Sequence, residues 1–437
     1  MVISRACYQV AAICITTLSF LIWIFHSSAG GGSTQHQVLR NQHESKFPFS
    51  SPVIPSPSLD NVQLRDAIHD ILNQTLGFQK IYAISMPHRT DKRDYLALMG
   101  YVSNLQIDFI DGVNGSEMHP KSHPSFWKGT ASTGDYGVWR AHLNIYQHML
   151  SHNIQTALIL EDDADWDILL RHQMLDFAHG ARAIQNSSLL NPALHSPYGD
   201  TWDLLALGHI GANNKPNKVQ KYWITQNDIT VIPSQKRTWS RIPDFSAPAL
   251  AEGKDEQMRV VMEVSKFTGA AAYGISLRGA ARLLYDQALL PNAQAIDVAM
   301  LALCRHASSS DPFLCLGAYP MLFGRYRAIG PETKDSDRRS SSNEVVPGSG
   351  GFQDQKERVE ARSEFTVFPV SLNLGGLLTG ERKFVANVDG VQEGKERFEI
   401  DLAEYVFPKG REVLVGPEEY VARQSKINRK ERVKKEQ

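Results

Sequence analysis

The segment TALILEDDADWD, residues 156–167, runs an apolar stretch directly into Glu161, Asp162 and Asp163, with Asp165 and Asp167 close behind. Three adjacent carboxylates repel one another unless a cation or hydrogen-bond donors offset their charge. An oxygen-only set of this kind suits Mn²⁺ or Mg²⁺, commonly held by one or two carboxylates together with substrate phosphates. The plainer reading is an acidic loop or helix start, where Asp is favoured in any protein. A basic cluster, Arg89, Lys92 and Arg93, follows another apolar run in IYAISMPHRTDKR (81–93). Arginine presents a two-pronged fork to phosphate oxygens, so this cluster suits a diphosphate; a basic first helical turn facing water is the alternative. No GxxxxGK[ST] or GxGxxG follows a predicted strand, which removes support from P-loop and dinucleotide-binding readings.

Elements of two periods must position these groups. IYAIS (81–85), IDFI (107–110), TALILE (156–161) and WDLLALG (202–208) are apolar runs of strand length. Helical spacing marks Asp91 to Gly100, Tyr136 to Ser151, Asp167 to Gln185 and Arg278 to Leu289. Strands interleaved with helices predict an α/β fold with a mainly parallel sheet covered on both faces. Ligands in such sheets bind outside the carboxyl ends of the strands, where both charged clusters fall.

Around this segment the chain changes character. Val10 to Phe25 carries no charge, and with Cys7 to Gln9 it reaches the roughly 20 apolar residues that cross a bilayer. Arg5 precedes it, so the positive-inside bias predicts a cytoplasmic N-terminus and a lumenal body, an ER or Golgi membrane protein of single-pass type II. A signal peptide cleaved near Ser27-Ser28-Ala29 is the rival reading. The acceptor triplets at Asn73, Asn114 and Asn186 are compatible with either. The expected organisation is a cytoplasmic tail (1–6), a transmembrane signal-anchor (7–26), a Gly- and Pro-rich stem (27–78), the folded domain (79–330), a disordered polar linker (331–364) and a small C-terminal region with a basic tail (365–437).

Composition excludes several classes. The 437 residues hold 46 Lys and Arg against 47 Asp and Glu, a net charge of −1, so no protein-wide basic field exists to hold nucleic acid. Four cysteines rule out a disulfide scaffold. Beyond the apolar segment only Cys304 and Cys315 remain, either as one disulfide or as two buried thiols.

Ordered blocks add a resemblance. ISMPHRTDKR (84–93), FIDGVNG (109–115), GDYGVWRAHLNIYQHML (134–150) with LILEDD (158–163), and TGAAAYGISLRGAARLL (268–284) resemble glycosyltransferase family 25, the bacterial lipopolysaccharide sugar transferases and the procollagen galactosyltransferases. Trp202-Asp203 with Gly208, then Asp297, continue the order, from about Lys80 to Gly330. The chain departs from the family at Gly137-Val138-Trp139-Arg140-Ala141-His142, where G-C-x-x-S-H is usual and only the His is kept.

The resemblance implies a single Rossmann-like domain of the GT-A type. It would move a hexose, galactose first and glucose second, from a UDP-sugar to a glycan or protein hydroxyl with inversion. Asp163 together with Glu161 would hold Mn²⁺ or Mg²⁺, Glu161 and Asp162 would orient the donor, and Arg89 and Arg93 would meet its diphosphate. Gly269 would let backbone approach the sugar, while His142 and Trp139 would contact substrate; a hydrogen-bonded core His and a core Trp are the plainer alternatives. Asp297 would take the acceptor proton, since inversion needs a carboxylate base, or serve as a second site carboxylate; a helix-start Asp is the plainer alternative. The competing reading is a lumenal carbohydrate-binding or scaffold protein on the same fold, against which the retained triple acid speaks.

Overall fold

The computed structural model describes residues 66–186, 195–215, 218–239, 241–251, 257–305, 311–338, 357–387, 399–401 and 405–420. Among these no helix is long and apolar enough to cross a membrane. The expected anchor at Val10–Phe25, the Pro-rich stem to Ser58 and the basic tail from Arg423 lie outside the described residues.

The strands that matter here are β1 (Lys80–Ser85), β2 (Asp108–Asp111), β3 (Thr156–Glu161), β4 (Ala164–Trp166), β5 (Leu204–Gly208), β6 (Gln220–Thr225), β7 (Arg259–Glu263), β8 (Ala272–Ser276), β9 (Cys315–Tyr319), β10 (Phe323–Arg327), β11 (Arg362–Glu364) and β12 (Arg411–Val415). The main helices are α1 (Thr90–Val102), α2 (Thr133–Ser151), α3 (Leu170–Ile184), α4 (Leu277–Ala288), α5 (Ile296–Arg305) and α6 (Val370–Thr379). Nine strands form one sheet in the order β12-β6-β7-β9-β5-β8-β3-β1-β2, and β11-β10-β4 form a small second sheet.

Residues of β3 show why the central strands read as unbroken apolar runs. Ala157 and Ile159 enter the core on one face, Leu158 and Leu160 the core on the other, and all four are fully buried. Helices α2, α4 and α5 supply Trp139, Leu143, Tyr146, Leu283 and Met300 to the first face. Leu96 and Met99 of α1, with Met174 and Phe177 of α3, cover the second. A sheet buried on both faces needs such helices on each side.

The fold is mixed α/β, but the sheet is not mainly parallel. Parallel pairing is confined to β2-β1-β3 and β5-β9, and the remaining neighbours run antiparallel. The cause lies after β5: among the described residues no long helix joins β6 to β7, and β8 inserts antiparallel between β3 and β5.

Domain edges also differ from those expected. Residues assigned to the stem pack into the body: Ile68, Ile71, Leu76 and Phe78 are buried, and Phe78 stacks on Tyr198 at 4.8 Å. The C-terminal residues do not stand apart, since β12 is the edge strand beside β6, and the end of the expected linker pairs into the small sheet as β11 beside β10. Asp165 and Asp167 clamp this segment. Ser371 Oγ donates to Asp165 at 2.5 Å and Phe368 N–H to Asp167 at 2.8 Å, and burial pushes these carboxyls up to about 6 and about 7. Cys304 and Cys315 form a disulfide with Cα atoms 5.6 Å apart, tying the end of α5 to the start of β9.

Candidate active site

Both charged clusters meet at one edge of the sheet. Pairing of β1 with β2 and β3 places Ser85 opposite Asp111 and Ile84 opposite Glu161, so all three carboxyl ends are level. Because β8 is antiparallel, its start arrives at the same edge: Glu161 N–H donates to Ala271 O at 2.9 Å, and Ala272 lies opposite both Leu160 and Gly208. The FIDGVNG and GDYGVW blocks buttress this edge by close backbone contact. A Cβ on Gly137 would come within 2.3 Å of Val113 O, so this position accepts only glycine. Ser132 and Asp135 cap α2 reciprocally.

The three acids have different partners. Asp162 pairs with Lys92 at 2.6 Å, and Asp163 with Arg327 at 2.7 Å. Burial raises the Asp162 carboxyl, opposed by Lys92. Among the described residues no cationic side chain pairs with Glu161. Burial, then the charges of Asp163, Asp297 and Asp162, push its carboxyl up to about 8, with Arg325 acting in the opposite sense. Asp297 Oδ2 accepts the Gly269 N–H at 3.0 Å and Oδ1 the Val298 N–H at 2.9 Å. It thereby pins a turn in which Gly269 has φ of +81°, a conformation that favours glycine.

Arg89 immediately precedes α1, and its guanidinium meets Asp91 at 2.9 Å and Asp337 at 2.7 Å. Burial alone would lower its basicity, but these two acids outweigh it and raise it. Arg93 bonds Ser85 O and Asp111 and covers the Phe109 ring. The polar stretch expected to be a disordered linker therefore contributes described residues to the site. Asp335 binds Arg358, Asp337 binds Arg89, and Arg338 binds Asp135.

A small cavity opens at Glu161, walled by Gly208, His209, Gly269, Phe323, Arg325 and Phe365. Its free volume is about 30 Å³, room for a water or a hydroxyl-sized group. Phe365 holds φ of +73°, a costly backbone for a bulky residue, while Arg325 lies 5.3 Å over its ring and Trp239 meets it edge-on. Arg325, Arg327, His209 and Phe365 were not legible as site residues. The one available signal was the alternation in Phe-Gly-Arg-Tyr-Arg, which puts Arg325 and Arg327 on the same face of β10.

The structure does not bring His142 or Trp139 to this surface. His142 is fully buried on α2, where its Nδ1 meets the Tyr273 hydroxyl at 2.7 Å, and Tyr146 bonds the same hydroxyl at 2.7 Å. Burial lowers the imidazole to about 3, so it is neutral. Trp139 is a core residue packed against Trp127. Both take the plainer role.

Among the described residues no three His, Cys, Asp or Glu side chains form a metal-binding group. The donor chemistry nevertheless fits one divalent ion: beside burial, neighbouring carboxylate charges raise the Glu161 carboxyl, a cation would offset those charges, and Glu161 and Asp163 are the residues that would supply oxygens.

Comparison with known proteins agrees with the edge described. Residues 78–300 match the model of glycosyltransferase family 25, described as LPS biosynthesis protein. Procollagen galactosyltransferase 1-B of Xenopus laevis is 28% identical over 24% of this chain and 19% of its own length. A glycosyltransferase 25 family member of Anopheles gambiae is 24% identical over 38% and 26%, and procollagen galactosyltransferase 1 of Danio rerio 20% identical over 49% and 30%. The matched stretches thus span less than a third of these relatives. The family model covers just over half of the chain and takes in β1 to β3, the triple acid, Gly269 and Asp297. This chain belongs to glycosyltransferase family 25.

Proposed function

We propose that this chain transfers a hexose, galactose before glucose, from a UDP-sugar to a hydroxyl of a glycan or protein, in the ER or Golgi lumen behind its N-terminal apolar anchor. The observation that carries the reading is the strand edge where Glu161, Asp162 and Asp163 face Lys92, Arg325 and Arg327 inside the segment matched by the family model. The galactosyltransferase names of the relatives support galactose as the donor sugar.

Each residue then has a task. Arg89 and Lys92 are held by Asp337 and Asp162, so an incoming diphosphate exchanges one set of anionic oxygens for another on the same cations. Arg93, anchored on Ser85 O and Asp111, adds positive charge at the same strand ends. Asp297 takes the acceptor proton as the acceptor oxygen bonds to the anomeric carbon. The bond from that carbon to the diphosphate breaks with its electron pair, and UDP leaves. Asp163 and Glu161 would hold Mn²⁺ or Mg²⁺, which when bound offsets charge on the departing diphosphate.

Purified residues 60–437, offered a panel of nucleotide sugars, should release UDP from UDP-galactose with Mn²⁺ and stop on chelation. A folded protein silent with every donor overturns the reading in favour of a carbohydrate-binding protein. Sealed microsomes should protect the chain beyond Phe25 from added protease; digestion there would refute the lumenal placement.

A further inference from the structure

His209 follows β5, is 3% exposed, and forms one wall of the cavity at Glu161. Its Nε2 lies 2.9 Å from Ala318 O. A carbonyl only accepts, so Nε2 carries the hydrogen and Nδ1 is left as a bare lone pair. That Nδ1 is buried and has no partner among the described residues. Burial lowers the imidazole to about 4, so Nδ1 stays an acceptor at neutral pH. Buried polar atoms without partners are uncommon, and one beside a functional cavity asks for a ligand group.

The chemistry of that group is restricted. A neutral imidazole acceptor takes a hydroxyl or N–H and rejects phosphate and carboxylate, which bring only acceptors. The size is restricted too, because about 30 Å³ admits a hydroxyl or hydroxymethyl and not a hexose ring. Glu161 also lines the cavity, and its carboxyl can pair with the same hydroxyl. Gly208 and Gly269 line it with backbone alone.

Resting on the transferase reading above, we infer that His209 is a specificity-determining residue: its Nδ1 accepts one hydroxyl of the donor hexose, the only part of the sugar that enters this cavity. A donor lacking that hydroxyl leaves Nδ1 unpaired and dry. This is why the discrimination falls on the sugar and not on the nucleotide.

The test uses two variants that split the two nitrogens. His209→Gln places an amide N–H where Nε2 was, keeping the Ala318 bond and removing the Nδ1 acceptor. His209→Asn places a carbonyl oxygen near Nδ1 and gives up the Ala318 bond. Calorimetry and turnover are measured with UDP-galactose, UDP-glucose and UDP-galactose analogues deoxygenated at one position each. Wild type should lose about 10–100-fold in kcat/KM and in affinity for one deoxy analogue. His209→Gln should bind that analogue and the parent alike, and His209→Asn should keep the discrimination despite lower thermal stability. The inference is overturned if both variants discriminate as wild type does, or if wild type is indifferent to every deoxygenation. Should no UDP-hexose bind or turn over with folded wild type, the proposed function itself fails; parent donors that bind normally confine the failure to His209.

Discussion

Replacing Asp297 by Asn separates acceptor chemistry from donor binding. In the native site Asp297 Oδ2 accepts from Gly269 N–H at 3.0 Å and Oδ1 from Val298 N–H at 2.9 Å. Asparagine keeps one carbonyl oxygen, so one of these donors loses its partner. The loss is a single hydrogen bond, about 1 kcal/mol of stability, and the protein should stay folded. The charge that takes the acceptor proton is gone, and general-base assistance contributes typically ~10²–10⁴-fold in rate. Transfer should therefore fall by about that factor, while Mn²⁺-dependent binding of UDP-galactose stays close to wild type. Asp163→Asn is the contrast: it weakens the pair with Arg327, made at 2.7 Å, and removes a proposed oxygen ligand of the ion. It should depress donor affinity and turnover together, with a rate loss of about 10²–10³ for a lost electrostatic contact. Calorimetry of the donor beside initial rates for both variants decides the matter. If Asp297→Asn loses donor affinity as badly as Asp163→Asn, Asp297 belongs to the donor side and the base lies elsewhere. If it turns over within about tenfold of wild type, it is no base at all.

Other consequences concern the frame around the site. His142, lowered to about 3 by burial against an ordinary value of 6.5, refuses a proton in the folded state, so its contribution to stability is lost as pH falls from about 6.5 toward 3. His142→Gln should flatten the acid limb of urea stability by about 1.4 kcal/mol per pH unit across pH 6 to 4; an unchanged slope refutes its neutrality. The Cys304–Cys315 bond closes a loop of sequence separation 11, worth about 3 kcal/mol on the chain-entropy account. The double Ser variant should lose about that much in denaturant titration, and no loss would count against a structural bond. Ser371→Ala removes a donor from buried Asp165 and should cost about 1–2 kcal/mol, read as a lower unfolding midpoint with the slope unchanged.

What could be read in the sequence depended on how locally each feature was encoded. The strand of Leu158 and Leu160 ending in Glu161 was legible because its apolar run, buried on both faces, stops where the acids begin. Arg89 and Lys92 were legible because they open a helix directly after a strand. His142 was misplaced although its position was written in the spacing. Trp139, His142, Leu143, Tyr146 and Met149 recur at three- and four-residue steps, a single buried stripe of α2, and a motif histidine on such a stripe faces the core. The antiparallel insertion of β8 left no local mark, since strand–helix alternation around it reads the same in either direction. Partners supplied by distant strands were hidden for the same reason: Arg327 reaches Asp163 across 164 positions of sequence. The stretch from Pro331 to Glu364 shows a different limit. The scarcity of apolar residues predicts that it cannot build a core, and its described residues add no hydrophobic side chain to one. Its described residues are held by charge instead, with Asp335 on Arg358, Asp337 on Arg89 and Glu364 on Arg325 and Arg327. A segment ordered by ion pairs is ordered only where its partners are already fixed. Arg89 at the start of α1, and Arg327 on β10, which pairs with β4 just beyond Glu161, are such fixed partners, so the elements that gather the site's charges also fasten the described residues of this segment.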